Sequence, residues 1–226
     1  MPRWRCVLLD LDGTLLDYRA AQIAAVGASM ACITHSKDLA PELLAFVNSP
    51  AVQAIEACRP GAPGPECRSL EDSFPRESGT DPRSFLIRYF AELGRQAGTI
   101  PGAASLLESL RAHGIPAAAV SNGPGPVQRS RLMKSGLIGG IGAIVLSCEV
   151  GVAKPDPRIF GMALRLLGRQ ASEAVMVGDG ASSDMAGAEG ASVDFIYFRQ
   201  DGDFSAPGRR LAEAGELDGV AGILLG

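Results

Sequence analysis

The chain has 226 residues, 46% of them hydrophobic and 20% charged, with a formal net charge of −4. That length buries a full core with room for a smaller insertion. The mild acidity lacks the basic stripe of a nucleic-acid binder, and no apolar stretch is long enough to span a membrane. The five cysteines, Cys6, Cys32, Cys58, Cys67 and Cys148, form no CxxC pair and no metal-ligand spacing. Cys6 and Cys148 read as small buried hydrophobes, and Cys58 and Cys67 could pair only in an oxidising compartment. Only Met1 to Arg5 precede the first apolar run, so the expectation is no signal peptide, reduced thiols and a cytoplasmic protein.

In chain order, the run from Cys6 to Leu9 has the length of a buried strand and leads into Asp10, Leu11, Asp12 and Gly13. Three helical stretches follow, at about 17–30, 41–47 and 51–58, and then the Pro/Gly-rich loop 59–65. Asp81-Pro82 reads as an N-cap with proline at the first helical position. The helix it opens, 83–96, carries Phe85, Leu86, Tyr89, Phe90 and Leu93 as a packing stripe. Residues 17–97 therefore read as an all-helical insertion. From Pro101 the rhythm changes to helices at about 101–113, 126–134, 157–167 and 183–190. These alternate with apolar runs at 115–120, 144–146, 174–177 and 195–198. Such alternation predicts an α/β fold, a doubly wound parallel sheet with helices on both faces. Residues 1–16 and 98–226 form that core, and the segment after Gln200 caps the sheet. Gly136, Gly139, Gly140 and Gly142 do not fit GxGxxG, no P-loop motif is present, and these glycines read as a loose turn.

Polar residues cluster at the carboxyl ends of three runs: Asp10 and Asp12, then Ser121 and Asn122, then Asp179, with Asp184 five residues on. In a parallel sheet these ends share one edge. Lys154, in the loop after the third run, reaches the same rim. Taken singly, Lys154 reads as a solvated lysine, Ser121-Asn122-Gly123 as a turn, and Asp184 as an acid favoured at a helix start. Together, four carboxylates call for a hard divalent cation, and Mg²⁺ is commonly held by carboxylates, water and a substrate phosphate. A carboxylate can attack phosphorus, and a second one can move the protons. A lysine and a serine can neutralise the phosphoryl oxygens.

The segments Asp10-Leu11-Asp12-Gly13-Thr14, Ser121-Asn122, Lys154-Pro155, and Gly178-Asp179 with Asp184 resemble, in order and spacing, the four motifs of the haloacid dehalogenase-like hydrolases. The inserted helices resemble that family's C1-type cap. The resemblance implies a phosphatase, because the dehalogenases lack the second acid that Asp12 supplies. It implies Asp10 as nucleophile and Asp12 as general acid/base, with Ser121, Lys154 and the Asn122 backbone on the phosphoryl oxygens. It also implies Mg²⁺ on the Asp10 side chain, the Asp12 carbonyl and Asp179, with Asp184 binding it directly or through water. The run from Ser147 to Phe160 resembles the branch of nucleoside monophosphate phosphatases and N-acylneuraminate-9-phosphatase. The expected substrate is then a small phosphorylated metabolite, a nucleoside monophosphate or a sugar phosphate. Phosphomutase action or non-catalytic binding on the same fold are the alternatives. Arg59, Arg68, Arg83 and Arg88 are candidates to bind an anionic or polar leaving group, or are simply solvated.

Overall fold

The computed structural model describes residues 3–31, 39–56 and 68–226, without the side chains of Arg68, Ser69 and Glu77. Strands β1 (Cys6–Leu9), β2 (Ala117–Ser121), β3 (Ala143–Leu146), β4 (Ala174–Gly178), β5 (Asp194–Phe198) and β6 (Ala212–Ala214) form one sheet in the order β3-β2-β1-β4-β5-β6. Every pairing is parallel; Val7 and Leu9 oppose Ala117 and Ala119 on one side, Val175 and Val177 on the other. The doubly wound sheet expected from the sequence is therefore present. The sixth strand is a correction at its edge, because the segment after Gln200 extends the sheet as well as capping it. That strand has three residues and a single buried one, too little pattern to register as a run.

Side-chain alternation divides β1 between two cores. Val7 and Leu9 pack with Leu106, Leu107 and Leu110 of α6 (Ala103–Ala112) and with Val220 and Leu224 of α11 (Leu217–Leu225). Cys6 and Leu8 pack on the opposite face with Ile159, Phe160 and Ala163 of α9 (Pro157–Leu167). Covered on both sides, the central strands are apolar at every position, which is why they read as unbroken runs. Connections from β1 run first toward β3 and later toward β6, so winding reverses at β1. Ligands of open α/β sheets collect at such a reversal.

Between β1 and α6 the chain forms α1 (Tyr18–Ala31), α2 (Ala40–Val47), α3 (Pro50–Glu56), α4 (Arg68–Ser73) and α5 (Pro82–Leu93). These helices have a cluster of their own, with Ala21, Ala25 and Val26 of α1 against Phe85, Leu86 and Tyr89 of α5. Phe46, Phe74 and Phe85 meet with ring centroids 4.9–6.0 Å apart, a tilted, edge-on geometry that adds to the burial gain of about 1.5–3 kcal/mol per ring. The expected stripe on α5 is buried apart from the half-buried Phe90. Asp81 caps α5, accepting from the Ser84 amide at 3.0 Å, and Asp156 caps α9 through the Arg158 amide at 2.9 Å. The short α4 had no periodic signal and went unread. The loop 59–65, Arg59, Cys32, Cys58 and Cys67 lie outside the described residues.

Two cysteine readings divide. Cys6 is free and buried, as expected, but Cys148 is disulfide-bonded, so its reading as a small reduced hydrophobe is corrected. Its local apolar neighbours carried no sign of a partner distant in sequence. Among the described residues no helix is long and apolar enough to cross a membrane.

Candidate active site

Asp10 is the first residue beyond β1, and its amide N–H donates to the Val177 carbonyl at 3.0 Å, continuing the sheet ladder. The chain then doubles back. The Leu11 carbonyl accepts from the Leu15 and Leu16 amides at 2.9 and 2.8 Å, and the Gly13 amide donates to Leu16 at 2.9 Å. Gly13 has φ 84°, and a Cβ there would collide with the Asp179 carboxylate. Glycine supplies the conformation and the close approach together. This turn brings the end of β1 against the end of β4.

The other predicted residues reach the same edge. Lys154 follows α8 (Ser147–Val150) and its buried ammonium pairs with Asp10 and, at 2.6 Å, with Asp184. Asn122 holds that loop by its side chain: Oδ1 accepts from the Lys154 amide at 2.8 Å and Nδ2 donates to the Lys154 carbonyl at 2.9 Å. Asp184 sits in a π-helical turn, Ala181–Met185, where its carboxylate accepts from the Gly180 amide at 2.9 Å. Ser121 ends β2, buried, with its Oγ accepting from Gln128 Nε2 at 3.0 Å. Asp10, Asp179 and Asp184 each offer a carboxylate oxygen, all within 4.8 Å of one another.

Crowding of acids in a dry space has electrostatic consequences. Burial pushes the Asp10 carboxyl well above its ordinary range; Lys154 opposes this, and repulsion from Asp184 and Asp179 adds to it. Burial, then Asp184, raises Asp179 to about 7. For Lys154, burial works against the charge, but Asp10 and Asp184 outweigh it and the pKa rises. Three carboxylates against one ammonium leave negative charge uncompensated at their meeting point. Hard oxygen donors, surplus negative charge, and glycines 13 and 178 clearing space beside Asp179 and Asp184 together fit a hard divalent cation such as Mg²⁺.

Sequence reasoning missed the residues that hold Asp12. Helix α7 (Gly125–Ser135) turns Gln128 and Arg131 inward, both buried. Gln128 Nε2 donates to one Asp12 carboxylate oxygen as well as to Ser121, and Arg131 Nη1 donates to the other. The signal was negative: α7 has few apolar residues, so polar side chains share its buried face with Val127 and Leu132. Also missed was Glu56, buried at the end of α3, whose two oxygens accept from the Tyr18 hydroxyl at 2.8 and 2.7 Å. Burial, only partly opposed by that hydrogen bond, lifts Glu56 to about 7. Tyr18 presents its ring to Arg131, 5.8 Å from the guanidinium carbon. Of the four arginines proposed for the leaving group, Arg83 and Arg88 are exposed on α5.

Comparison with known proteins agrees with this architecture. The family model for haloacid dehalogenase-like hydrolases matches residues 4–192. A phosphoglycolate phosphatase of Cupriavidus necator is 30% identical over 208 residues, covering 89% of this chain and 83% of that protein. The pyrimidine 5'-nucleotidase PynA of Streptococcus pneumoniae is 28% identical, covering 86% and 84%. A phosphoserine phosphatase of Thermus thermophilus is 37% identical, but the match spans 50% of this chain and 45% of that protein. Among solved structures, a HAD phosphatase from Thermococcus onnurineus is 25% identical with a TM-score of 0.68, each chain covered to 97%. The HAD-hydrolase YfnB of Bacillus subtilis shares the fold at a TM-score of 0.79 and 22% identity, over 98% of this chain and 99% of that one.

Proposed function

This chain belongs to the haloacid dehalogenase-like hydrolase family, among its phosphatases, and from that premise we propose that it is a Mg²⁺-dependent phosphomonoesterase working through an aspartyl-phosphate. The substrate is a small phosphorylated metabolite of the nucleoside monophosphate or sugar phosphate kind. Carrying the reading is one observation: Asp10, Asp12, Ser121 and Lys154, up to 144 residues apart in sequence, converge at the winding reversal.

Asp10 attacks phosphorus through a carboxylate oxygen, and the ester oxygen departs. Asp12, held at both oxygens by Gln128 and Arg131, gives that oxygen a proton. A water then attacks the acyl phosphate; Asp12 takes its proton, phosphate leaves and the Asp10 carboxylate is restored. Ser121 and Lys154 hold the phosphoryl oxygens, and the Asn122 side chain keeps the Lys154 backbone in place. Asp10, Asp179 and Asp184, with the Asp12 carbonyl, would hold Mg²⁺, which when bound supplies positive charge to the phosphoryl oxygens. Residues 17–97 act as the cap over this space, and α1 and α3 bring Tyr18 and Glu56 to it.

The test is p-nitrophenyl phosphate hydrolysis with and without Mg²⁺. Asp10→Asn abolishes turnover, with circular dichroism unchanged. Asp179→Asn loses the rise in melting temperature that Mg²⁺ gives the wild type, a readout independent of activity. Full turnover by Asp10→Asn overturns the assignment of the nucleophile.

A further inference from the structure

Arg131 is fully buried, yet only one of its guanidinium nitrogens is engaged. Nη1 donates to Asp12 and lies 3.3 Å from Gln128 Oε1, while Nε and Nη2 have no hydrogen-bond partner. Buried donors on a charged group are rarely left unmet, and an unmet pair points to something that arrives with function. The Glu56 carboxylate, taken up by the Tyr18 hydroxyl, makes no hydrogen bond to it.

The unengaged pair has a specific shape. Nε and Nη2 form one edge of the guanidinium, two near-parallel N–H groups in a plane, which matches the two oxygens of a carboxylate. A single hydroxyl would satisfy one donor and leave the other dry. Location matters equally. Arg131 grips the carboxyl proposed to protonate the leaving oxygen, so the group attached to that oxygen departs next to this guanidinium, whose other neighbour is the Tyr18 ring at 5.8 Å.

We propose that the Nε/Nη2 edge of Arg131 binds a carboxylate on the leaving group, so that the substrates are phosphate monoesters of small hydroxy acids or sugar acids. This rests on the phosphomonoesterase reading and puts a carboxylate-bearing ester in place of its nucleoside monophosphate or neutral sugar phosphate. Arg131 then has two tasks: it orients Asp12 through Nη1 and selects the substrate through its opposite edge.

Two substrates separate those tasks: 2-phosphoglycolate, and 2-hydroxyethyl phosphate, which replaces the carboxylate with a neutral hydroxymethyl group. Wild type is expected to favour the acid in kcat/KM by about 10–100-fold. Arg131→Lys keeps a cation near Asp12 but has no bidentate edge, and Arg131→Gln has neither. Both variants lower turnover of each substrate through Asp12, an effect that cancels in the ratio. The ratio itself falls to within about threefold of unity, chiefly through KM of the acid. Equal losses on both substrates, with the preference intact, would show that Arg131 only positions Asp12 and overturn the proposal. So would a wild type indifferent to the carboxylate, or one that prefers 1,3-propanediol bisphosphate, whose second anion is a phosphate. Failure of the wild type to hydrolyse even p-nitrophenyl phosphate with Mg²⁺ strikes instead at the phosphomonoesterase reading.

Discussion

Replacing Glu56 by glutamine tests whether the buried carboxyl at the end of α3 is held protonated by its surroundings. In the folded protein burial raises it from 4.5 to about 7. A carboxyl whose folded pKa exceeds its unfolded one binds its proton more tightly when folded. Its contribution to stability is complete below pH 4.5 and declines as pH rises toward 7. Such a displacement corresponds to about 3 kcal/mol lost across that window, since each pH unit is worth about 1.4 kcal/mol. Glutamine keeps an acceptor for the Tyr18 hydroxyl and cannot ionise, so the variant lacks this slope. Urea unfolding of both proteins at pH 4.5, 6 and 7.5 measures it. Asp10 and Asp179 are raised as well and give slopes of the same sign, but both proteins carry them and they cancel in the difference. The expected result is a stability difference between variant and wild type that moves by about 3 kcal/mol in the variant's favour from pH 4.5 to 7.5. Parallel curves would refute the argument, because Glu56 would then titrate as it does in the unfolded chain.

Two further substitutions probe the frame of the site. Gly13→Ala places a Cβ against the Asp179 carboxylate at a positive φ; it should cost at least about 1–2 kcal/mol in urea unfolding and abolish the Mg²⁺-induced rise in melting temperature. An unaltered Mg²⁺ response would remove Asp179 from the cation site. Gln128→Leu cuts the link between Asp12 and Ser121, a hydrogen bond to a charged group worth about 1.5–3 kcal/mol. Because Gln128 orients Asp12, the proposed proton donor, kcat should fall by roughly 10–100-fold while KM changes little; a change confined to KM would make Gln128 a binding residue instead.

Much of the fold was legible because its signals are local. The apolar runs 6–9, 115–120 and 174–177 read as strands since strands covered on both faces are apolar nearly throughout, and the Asp-Pro pairs at 81–82 and 156–157 announce helix starts by their own chemistry. The edge strand Ala212–Ala214 and the short α4 were not legible, being too brief for any periodicity to accumulate. Cys148 was misread for a related reason: its neighbours describe its surroundings, and a disulfide partner remote in sequence leaves no trace there.

The site divides along the same line. Asp10, Ser121, Lys154, Asp179 and Asp184 could be selected from sequence because each follows a strand or a strand's loop, and parallel pairing sends all such positions to one edge. The sequence by itself thus determined the α/β topology, the meeting of the acids with Lys154, and the kind of cation they suit. Only the tertiary structure decided what surrounds Asp12. Gln128 and Arg131 face it because α7 turns both side chains toward Asp12, and Tyr18 and Glu56 come near because the Tyr18 ring lies on Arg131 and its hydroxyl holds Glu56. Those contacts depend on how elements far apart in the chain are set against one another, an arrangement fixed by packing across the whole molecule and not by the pattern within any one segment.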